Sequence, residues 1–86
     1  MQVKYHKGMK YSFRLRLYRL TRGLSQRDVA NLMGHKDTSL ISRWENGFSL
    51  PDLENAFKLA GVYCLTVDEL FRDIKKEINS SFIYAR

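Results

Sequence analysis

Two short segments with helical character, residues 25–33 and 37–46, follow each other closely and constrain the fold more than any other feature. The connection between them starts at Gly34 and is short, so the two helices must pack directly against each other. Such short helices can cross at a steep angle only where a small side chain lets them approach, and Ala30 is small. The sequence therefore predicts two crossed helices joined by a tight turn.

The second of these helices has two distinct faces. At about 100° per residue, Leu40, Ile41 and Trp44 fall on one side and form a stripe that the protein should cover. Glu45 lies at the boundary of this stripe. The other side is a continuous polar strip made of Thr38, Ser39, Ser42, Arg43 and Asn46. What this polar strip faces has to be inferred from the rest of the chain.

Local signals along the chain favour an all-α domain of about five helices with short connections. The stretch FRLRLYRL alternates as a strand does, but no hairpin partner lies nearby, and helix is the preferred interpretation. We expect the first helix over residues 12–22, ending at Gly23. Residues 1–10 and the end of the chain after about Ser80 are expected to be loosely held.

Capping residues mark the ends of the other helices. The candidate N-caps are Ser25 with Asp28, Asp37, Asp52 after Pro51, and Thr66 with Glu69. Gly34 and Gly47 are suited to ending the second and third helices. For the fourth helix we expect an apolar face of Leu53, Ala56, Phe57 and Leu59 or Ala60. For the fifth we expect one of Val67, Leu70, Phe71, Ile74 and Ile78.

With 86 residues, 44% of them hydrophobic, the chain can form one small domain with a modest core. Its single cysteine, Cys64, cannot form an internal disulfide and is interpreted as a small buried apolar residue. Cys64, His6 and His35 are too scattered for a zinc site, and no metal or other cofactor is expected. No secretory signal or membrane-spanning run is visible, so we expect a soluble, cytoplasmic protein.

Positive charge is concentrated at one end of the chain. The net charge is +6, and residues 1–27 hold eight basic side chains and no acidic one, whereas residues 28–86 hold more acids than bases. This asymmetry favours a polyanionic partner, although a solvated basic face without a partner is an equal alternative. An acidic membrane surface is disfavoured, because the arginines of SFRLRLYRL surround the helix instead of sharing one face. An enzyme is not expected, since no catalytic constellation is recognisable.

Several motifs in a fixed order point to a known family. The strings RGLSQRDVANLMG, LISRWENG, LPDLENAFKLA and LTVDELF closely resemble the Cro and phage-repressor (XRE-like) class of helix-turn-helix DNA-binding domains. The resemblance covers about residues 12–71 and implies a compact five-helix bundle of the phage-repressor type. The corresponding organisation is a basic N-terminal tail over 1–10, a DNA-binding domain over 11–78 with the helix-turn-helix at 25–46, and a C-terminal tail over 79–86.

The resemblance implies roles for individual side chains. Base contacts are expected from Gln26, Thr38, Ser39, Ser42 and Arg43. Phosphate contacts are expected from polar and basic residues around them, namely Ser25, Arg27, Lys36, Asn46, Lys10 and Arg14. Arg19 and Glu45 match a pair that forms a salt bridge between the first and third helices in many members. Within the polar strip, Arg43 alone can make a two-pronged contact to guanine, worth about 1 to 3 kcal/mol of discrimination.

The turn before the third helix departs from the family pattern, because it is one residue longer than is common. The extra residue is His35, Lys36 or Asp37, and the sequence leaves open which of them it is. His35 itself is interpreted either as a phosphate contact or as an ordinary exposed turn residue.

Two single positions also depart from the pattern. Leu40 is apolar where a polar contact residue is frequent, and we assign it to the core together with Trp44. Cys64 stands where glycine usually closes the fourth helix, which leaves the end of that helix in doubt.

The first helix has apolar residues on two sides. One cluster contains Phe13, Leu17, Leu20 and Leu24, whereas the family register turns Leu15, Tyr18 and Arg19 towards the core. The outer cluster needs a covering from the N-terminal tail, from the C-terminal segment with Phe82, Ile83 and Tyr84, or from another subunit. We predict a homodimer that binds paired half-sites one DNA turn apart.

The function predicted from these features is sequence-specific binding of double-stranded DNA by a small transcriptional regulator that represses by occupying an operator. The alternative is a protein-interaction or antitoxin-type module that keeps the fold, with DNA binding secondary or absent. The basic first third of the chain argues against this alternative.

Overall fold

The computed structural model describes residues 13–85, and every regular element in that range is a helix. The elements are α1 (Phe13–Thr21), α2 (Gln26–Met33), α3 (Ser39–Glu45), α4 (Leu53–Tyr63), α5 (Val67–Leu70) and α6 (Arg72–Ala85). The all-α prediction is therefore confirmed. The N-terminal tail with Lys10 lies outside the described residues, as do the side chains of Phe13, Phe82, Ile83 and Tyr84.

Helix starts follow the predicted caps. The Ser25 hydroxyl accepts the Asp28 amide at 2.9 Å, and the Asp28 carboxylate accepts the Ser25 amide at 2.8 Å, which also lowers the pKa of that carboxyl. Thr66 and Glu69 form the same reciprocal pair before α5. Asp52 caps α4 through its side chain. Both capping boxes and the start of α4 could thus be predicted from residue spacing alone.

The predicted fifth helix is divided into two. The backbone leaves helical geometry at Phe71, where φ is −118° and ψ is 37°, so α5 is a single turn and α6 starts at Arg72. Phe71 packs against the core at this break. The apolar residues therefore keep their helical spacing from α5 into α6, although the backbone does not stay helical. Ile78 does not follow the prediction, because it is 48% exposed. Helix α6 continues to Ala85 and extends into the segment 79–86.

The core is formed by buried side chains from α1 to α5. Helix α2 packs against α3 and α4, and α1 packs against α3. Ala30 is fully buried in α2, in agreement with its predicted place where helices approach. The other members are Leu15, Val29, Met33, Ile41, Trp44, Leu59, Ala60, Tyr63 and Leu70.

Helix α4 buries only part of the predicted apolar face. Leu53 and Phe57 are 73% and 61% exposed, and the buried residues are Ala56, Leu59, Ala60 and Tyr63. The prediction for Leu53 and Phe57 is wrong because the position of α2, rather than side-chain size, decides which arc is covered. Two alanines on the buried arc let helices approach closely, and the bulky side chains beside them are left outside.

Helix α1 follows the register that the family resemblance implies. Leu15 and Arg19 are buried, and the partly buried Tyr18 donates its hydroxyl to the Glu69 carbonyl at 3.1 Å. Leu24 packs against the core. By contrast, Leu17 and Leu20 remain 58% and 54% exposed. The second apolar face of α1 is therefore uncovered within the described residues.

Cys64 is exposed, so the expectation of a buried residue is wrong. Its φ of 58° and ψ of 43° place it in the left-handed conformation that glycine usually adopts at a helix end. The Leu65 amide donates to the Ala60 carbonyl at 2.9 Å across this cap. Helix α4 therefore ends in the usual way, and the backbone strain is borne by the cysteine.

Candidate nucleic-acid interface

The polar strip of α3 is open to solvent. Ile41 and Trp44, on the opposite face, are 1% and 3% exposed and anchor the helix in the core. The Asn46 side-chain amide donates to the Ser42 hydroxyl at 3.3 Å, which joins the last turn of the strip. Of the five strip residues, Ser39, Arg43 and Asn46 are exposed, and Thr38 and Ser42 are half-buried. The structure thus brings all five together on one accessible surface.

Leu40 belongs to this accessible surface and not to the core. It is 40% exposed, in contrast to Ile41 beside it. Ile41 and Trp44 fill the space below α3, and Leu40 lies in the first turn of that helix, on the edge of the strip next to Arg43. The assignment of Leu40 to the core is therefore wrong.

Arg43 packs against Phe48, a contact that the sequence pattern does not predict. Its guanidinium carbon lies 5.8 Å from the centre of the Phe48 ring, in a cation–π arrangement. The loop is closed by the Phe48 amide, which donates to the Arg43 carbonyl at 2.9 Å, and by Gly47 with φ of 76°. An aromatic residue directly after the glycine that ends α3 could have indicated this contact. The closure at that glycine brings the next residue back to the last turn of the helix.

The first turn of α2 lies across α3 and reaches both of its ends. The Gln26 side chain donates to the Glu45 carboxylate at 3.0 Å, at the end of α3. The Arg27 guanidinium donates to the Lys36 carbonyl at 3.3 Å, in the turn before α3. Helix geometry leaves the amides of Gln26 and Arg27 without intrahelical acceptors, and the Ser25 side chain caps only the amide of Asp28. A set of N–H donors therefore lies beside the polar strip.

A buried ion pair connects α1 to α3. Arg19 donates to the two Glu45 carboxylate oxygens at 2.6 and 3.1 Å, and the two side chains are 8% and 3% exposed. Arg19 also donates to the Leu24 carbonyl at 2.9 Å, and the bonds to Glu45 raise the pKa of Arg19. Together with Gln26, this network ties α1, α2 and α3 to one carboxylate. The orientation of the polar strip depends on that carboxylate.

The structure assigns a separate role to each residue of the long turn. His35 is half-buried, with its ring edge-on to Trp44 at 6.0 Å between centroids and Nε2 at 3.2 Å from the Asn55 side-chain oxygen. The interpretation of His35 as an exposed turn residue is therefore wrong.

Asp37 performs the capping, although the N-cap position itself is Thr38, whose side chain makes no capping bond. The Asp37 carboxylate accepts the Ser39 amide at 2.9 Å, and this bond lowers the pKa of the carboxyl. Lys36 is exposed, and its carbonyl accepts the Arg27 guanidinium.

Part of the basic N-terminal charge is used within the domain. Arg14 forms a 3.0 Å salt bridge with Asp73 on α6, and hydrogen bonds with Tyr18 and with Asp73 raise the pKa of Arg14. Arg22 donates to the Tyr63 carbonyl at 3.1 Å, and burial raises the pKa of the Tyr63 hydroxyl. The structure thus places Arg14 beside α6 and not at the polar strip, whereas Arg27 and Lys36 lie at the strip's N-terminal end.

Two further kinds of site are not found between residues 13 and 85. No three His, Cys, Asp or Glu side chains in that range are grouped to hold a metal ion. None of its helices combines the length and apolar character needed to cross a membrane.

Comparison with protein families identifies a match. A protein-family model described as helix-turn-helix matches residues 15–70, which is more than half of the chain and includes most of α1 and all of α2 to α5. No curated protein matches the chain. The matched range begins at Leu15 and ends at Leu70, both of which are core residues.

Proposed function

The chain belongs to the helix-turn-helix family of the Cro and phage-repressor type, a family of DNA-binding regulators, and we propose that it is a cytoplasmic repressor that acts by occupying an operator. The observation that carries this proposal is the accessible polar strip on α3, with the free amides of α2 beside it. An α-helix fits the major groove, where each base pair presents its own pattern of donors and acceptors. Occupancy alone excludes polymerase, and the mechanism requires no catalysis.

Base recognition is assigned to the polar strip. Arg43 forms the two-pronged contact to guanine, and its position over Phe48 restricts its conformations before DNA is bound. Thr38, Ser39 and Ser42 have short side chains that allow close approach and contact bases directly or through water. Gln26 contacts DNA from the orientation that its bond to Glu45 imposes.

Phosphate contacts surround this surface. The N-terminal turn of α2 offers the amides of Gln26 and Arg27 and the Ser25 hydroxyl to one phosphate, because a helix N-terminus attracts anions. The negatively charged phosphates of one DNA strand are contacted by Arg27 and Lys36, which lie together at the turn. The further phosphate contacts are assigned to Asn46 and Lys10, whereas Arg14 is paired with Asp73 on α6.

The first experiment is a footprint on the DNA upstream of the gene, followed by binding to the protected site across a salt series. Affinity should fall steeply with salt on every DNA, through the phosphate contacts, while a preference for the protected site persists. Lys10→Ala should weaken all sequences alike and reduce the salt slope by about one. Lys76→Ala on α6 removes the same charge outside the helix-turn-helix and serves as the control. Salt dependence without any site preference would contradict the proposal.

A homodimer is proposed on the basis of the uncovered face of α1. Leu17 and Leu20 are more than half exposed, whereas Leu15 and Arg19 on the other side of the helix are buried. Burying this face against a second copy would remove it from water, and a two-fold dimer presents two polar strips to half-sites about 34 Å apart.

Sedimentation tests the dimer and its surface together. The wild type should sediment at twice the 10.2 kDa of one chain, and Leu17→Glu with Leu20→Glu should sediment as a monomer, because the charges would be buried in the interface. The monomer should bind a two-site duplex about 100-fold more weakly. Leu53→Glu with Phe57→Glu on α4 is the matched control and should stay dimeric. If the α4 variant were monomeric and the α1 variant dimeric, the interface would be assigned to α4 instead of α1.

One observation favours the alternative of a protein-interaction or antitoxin-type module. Leu53 and Phe57 form an exposed apolar pair on α4 that the domain itself does not use. Such pairs are common at protein interfaces. If a partner protein binds there and no DNA site is preferred, the alternative describes the protein better.

A further inference from the structure

Leu40 is the side chain on the DNA-facing surface that the proposed contacts do not use. It is 40% exposed at the start of α3, while its neighbour Ile41 is buried to 1%. An apolar side chain that is exposed on a surface proposed to read bases should have a contact of its own in the complex. Within the helix it lies three residues before Arg43, and residues at that spacing share a face.

The chemistry of the DNA limits what Leu40 can contact. It has no donor or acceptor, so it gains nothing from a phosphate or from a base-edge hydrogen bond. The major groove offers one apolar feature, the 5-methyl group of thymine. Any other base edge placed against Leu40 would lose its water without gaining a hydrogen bond, which is unfavourable.

We propose that Leu40 reads the 5-methyl group of one thymine, adjacent to the guanine contacted by Arg43. This inference rests on the proposed function and makes Leu40 a further specificity residue. The neighbouring side chains support it, because Ser39 and Ser42 are short and do not hold the helix away from the bases. The preferred site should therefore contain a guanine and a thymine in neighbouring base pairs, on either strand.

Replacing thymine by deoxyuridine removes only the methyl group and tests the contact directly. Binding is measured by fluorescence anisotropy on duplexes of the footprinted site in which each thymine is replaced in turn. For the wild type, one replacement should weaken binding about fourfold, the value expected for losing one buried methyl group. For Leu40→Ala, the same replacement should change binding less than twofold, and Leu40→Met should restore the difference.

Leu32→Ala is the matched control, because Leu32 is an exposed leucine on α2 outside the polar strip. It should leave the response to deoxyuridine unchanged. Thermal melting of Leu40→Ala should match that of the wild type, since the side chain is not part of the core. If a preferred site exists but no replacement of a thymine has an effect that depends on Leu40, this inference alone is overturned. The absence of any preferred site would overturn both the inference and the proposed function.

Discussion

Glu45→Gln should destabilise the domain by about 3 to 5 kcal/mol, the cost of removing one partner of a buried ion pair. The substitution keeps the size of the side chain but leaves the Arg19 guanidinium, 8% exposed, without a counter-charge. The amide also cannot accept both of the bonds that Arg19 donates to the two carboxylate oxygens, because its nitrogen is a donor. A small domain has a total stability of only about 5 to 15 kcal/mol, so much of the variant should be unfolded in moderate urea. Urea titration followed by circular dichroism at pH 7 measures the change.

Two variants separate charge from packing in this test. Asp73→Asn breaks the exposed pair with Arg14 and should leave the urea midpoint almost unchanged, because exposed ion pairs contribute little. Arg19→Met combined with Glu45→Leu removes both charges and should recover most of the lost stability, since apolar replacement of a buried pair is often neutral. If Glu45→Gln unfolded at the same urea concentration as Asp73→Asn, the network would have no structural importance.

The helix ends could be predicted because their signals are local. Ser25 with Asp28, and Thr66 with Glu69, are three residues apart, and a helix start needs nothing more distant than that spacing. The Arg19–Glu45 pair is different, because its members lie in separate helices and no local pattern connects them. Only the family resemblance indicated that pair, and the structure shows it as a bidentate contact.

The burial of individual apolar residues could not be predicted in the same way. A helical wheel places Leu40 beside Trp44 and Phe57 on the same apolar face as Ala60 and Ala56, and it treats hydrophobic character as a measure of burial. In the folded chain the neighbouring helices decide, and the small Ala56 is covered while Phe57 stays outside. The wheel also carries no information about Phe71, whose backbone leaves the helix within an uninterrupted apolar period.

The candidate site shows the same division. The polar strip could be predicted, because its residues repeat at helical spacing within α3. The roles of His35 and Phe48 could not, since each depends on a contact formed only after the turn or loop has closed. His35 packs on Trp44, and Phe48 packs on Arg43. Both residues therefore position α3 or the Arg43 side chain without belonging to any sequence motif.

Arg43→Ala should reduce the preference for the protected site by about 1 to 3 kcal/mol, the value of a bidentate contact to guanine. Binding to unrelated DNA should fall much less, because phosphate contacts from α2 and the turn remain. The fold should be unaffected, since Arg43 is exposed and its carbonyl, not its side chain, closes the loop after α3. Competition between specific and unrelated duplexes at constant salt measures the preference directly.

Arg43→Lys decides whether the contact is to a base or to a phosphate. Lysine keeps the positive charge but has no planar fork, so it cannot reproduce a two-pronged contact to guanine. The salt slope should therefore stay at the wild-type value while most of the site preference is lost. Arg72→Ala on α6 is the control for charge. It should change neither the preference for the protected site nor the dependence of that preference on individual base pairs. If Arg43→Lys kept the full preference, Arg43 would be a phosphate contact, and base reading would have to come from the remaining residues of the polar strip.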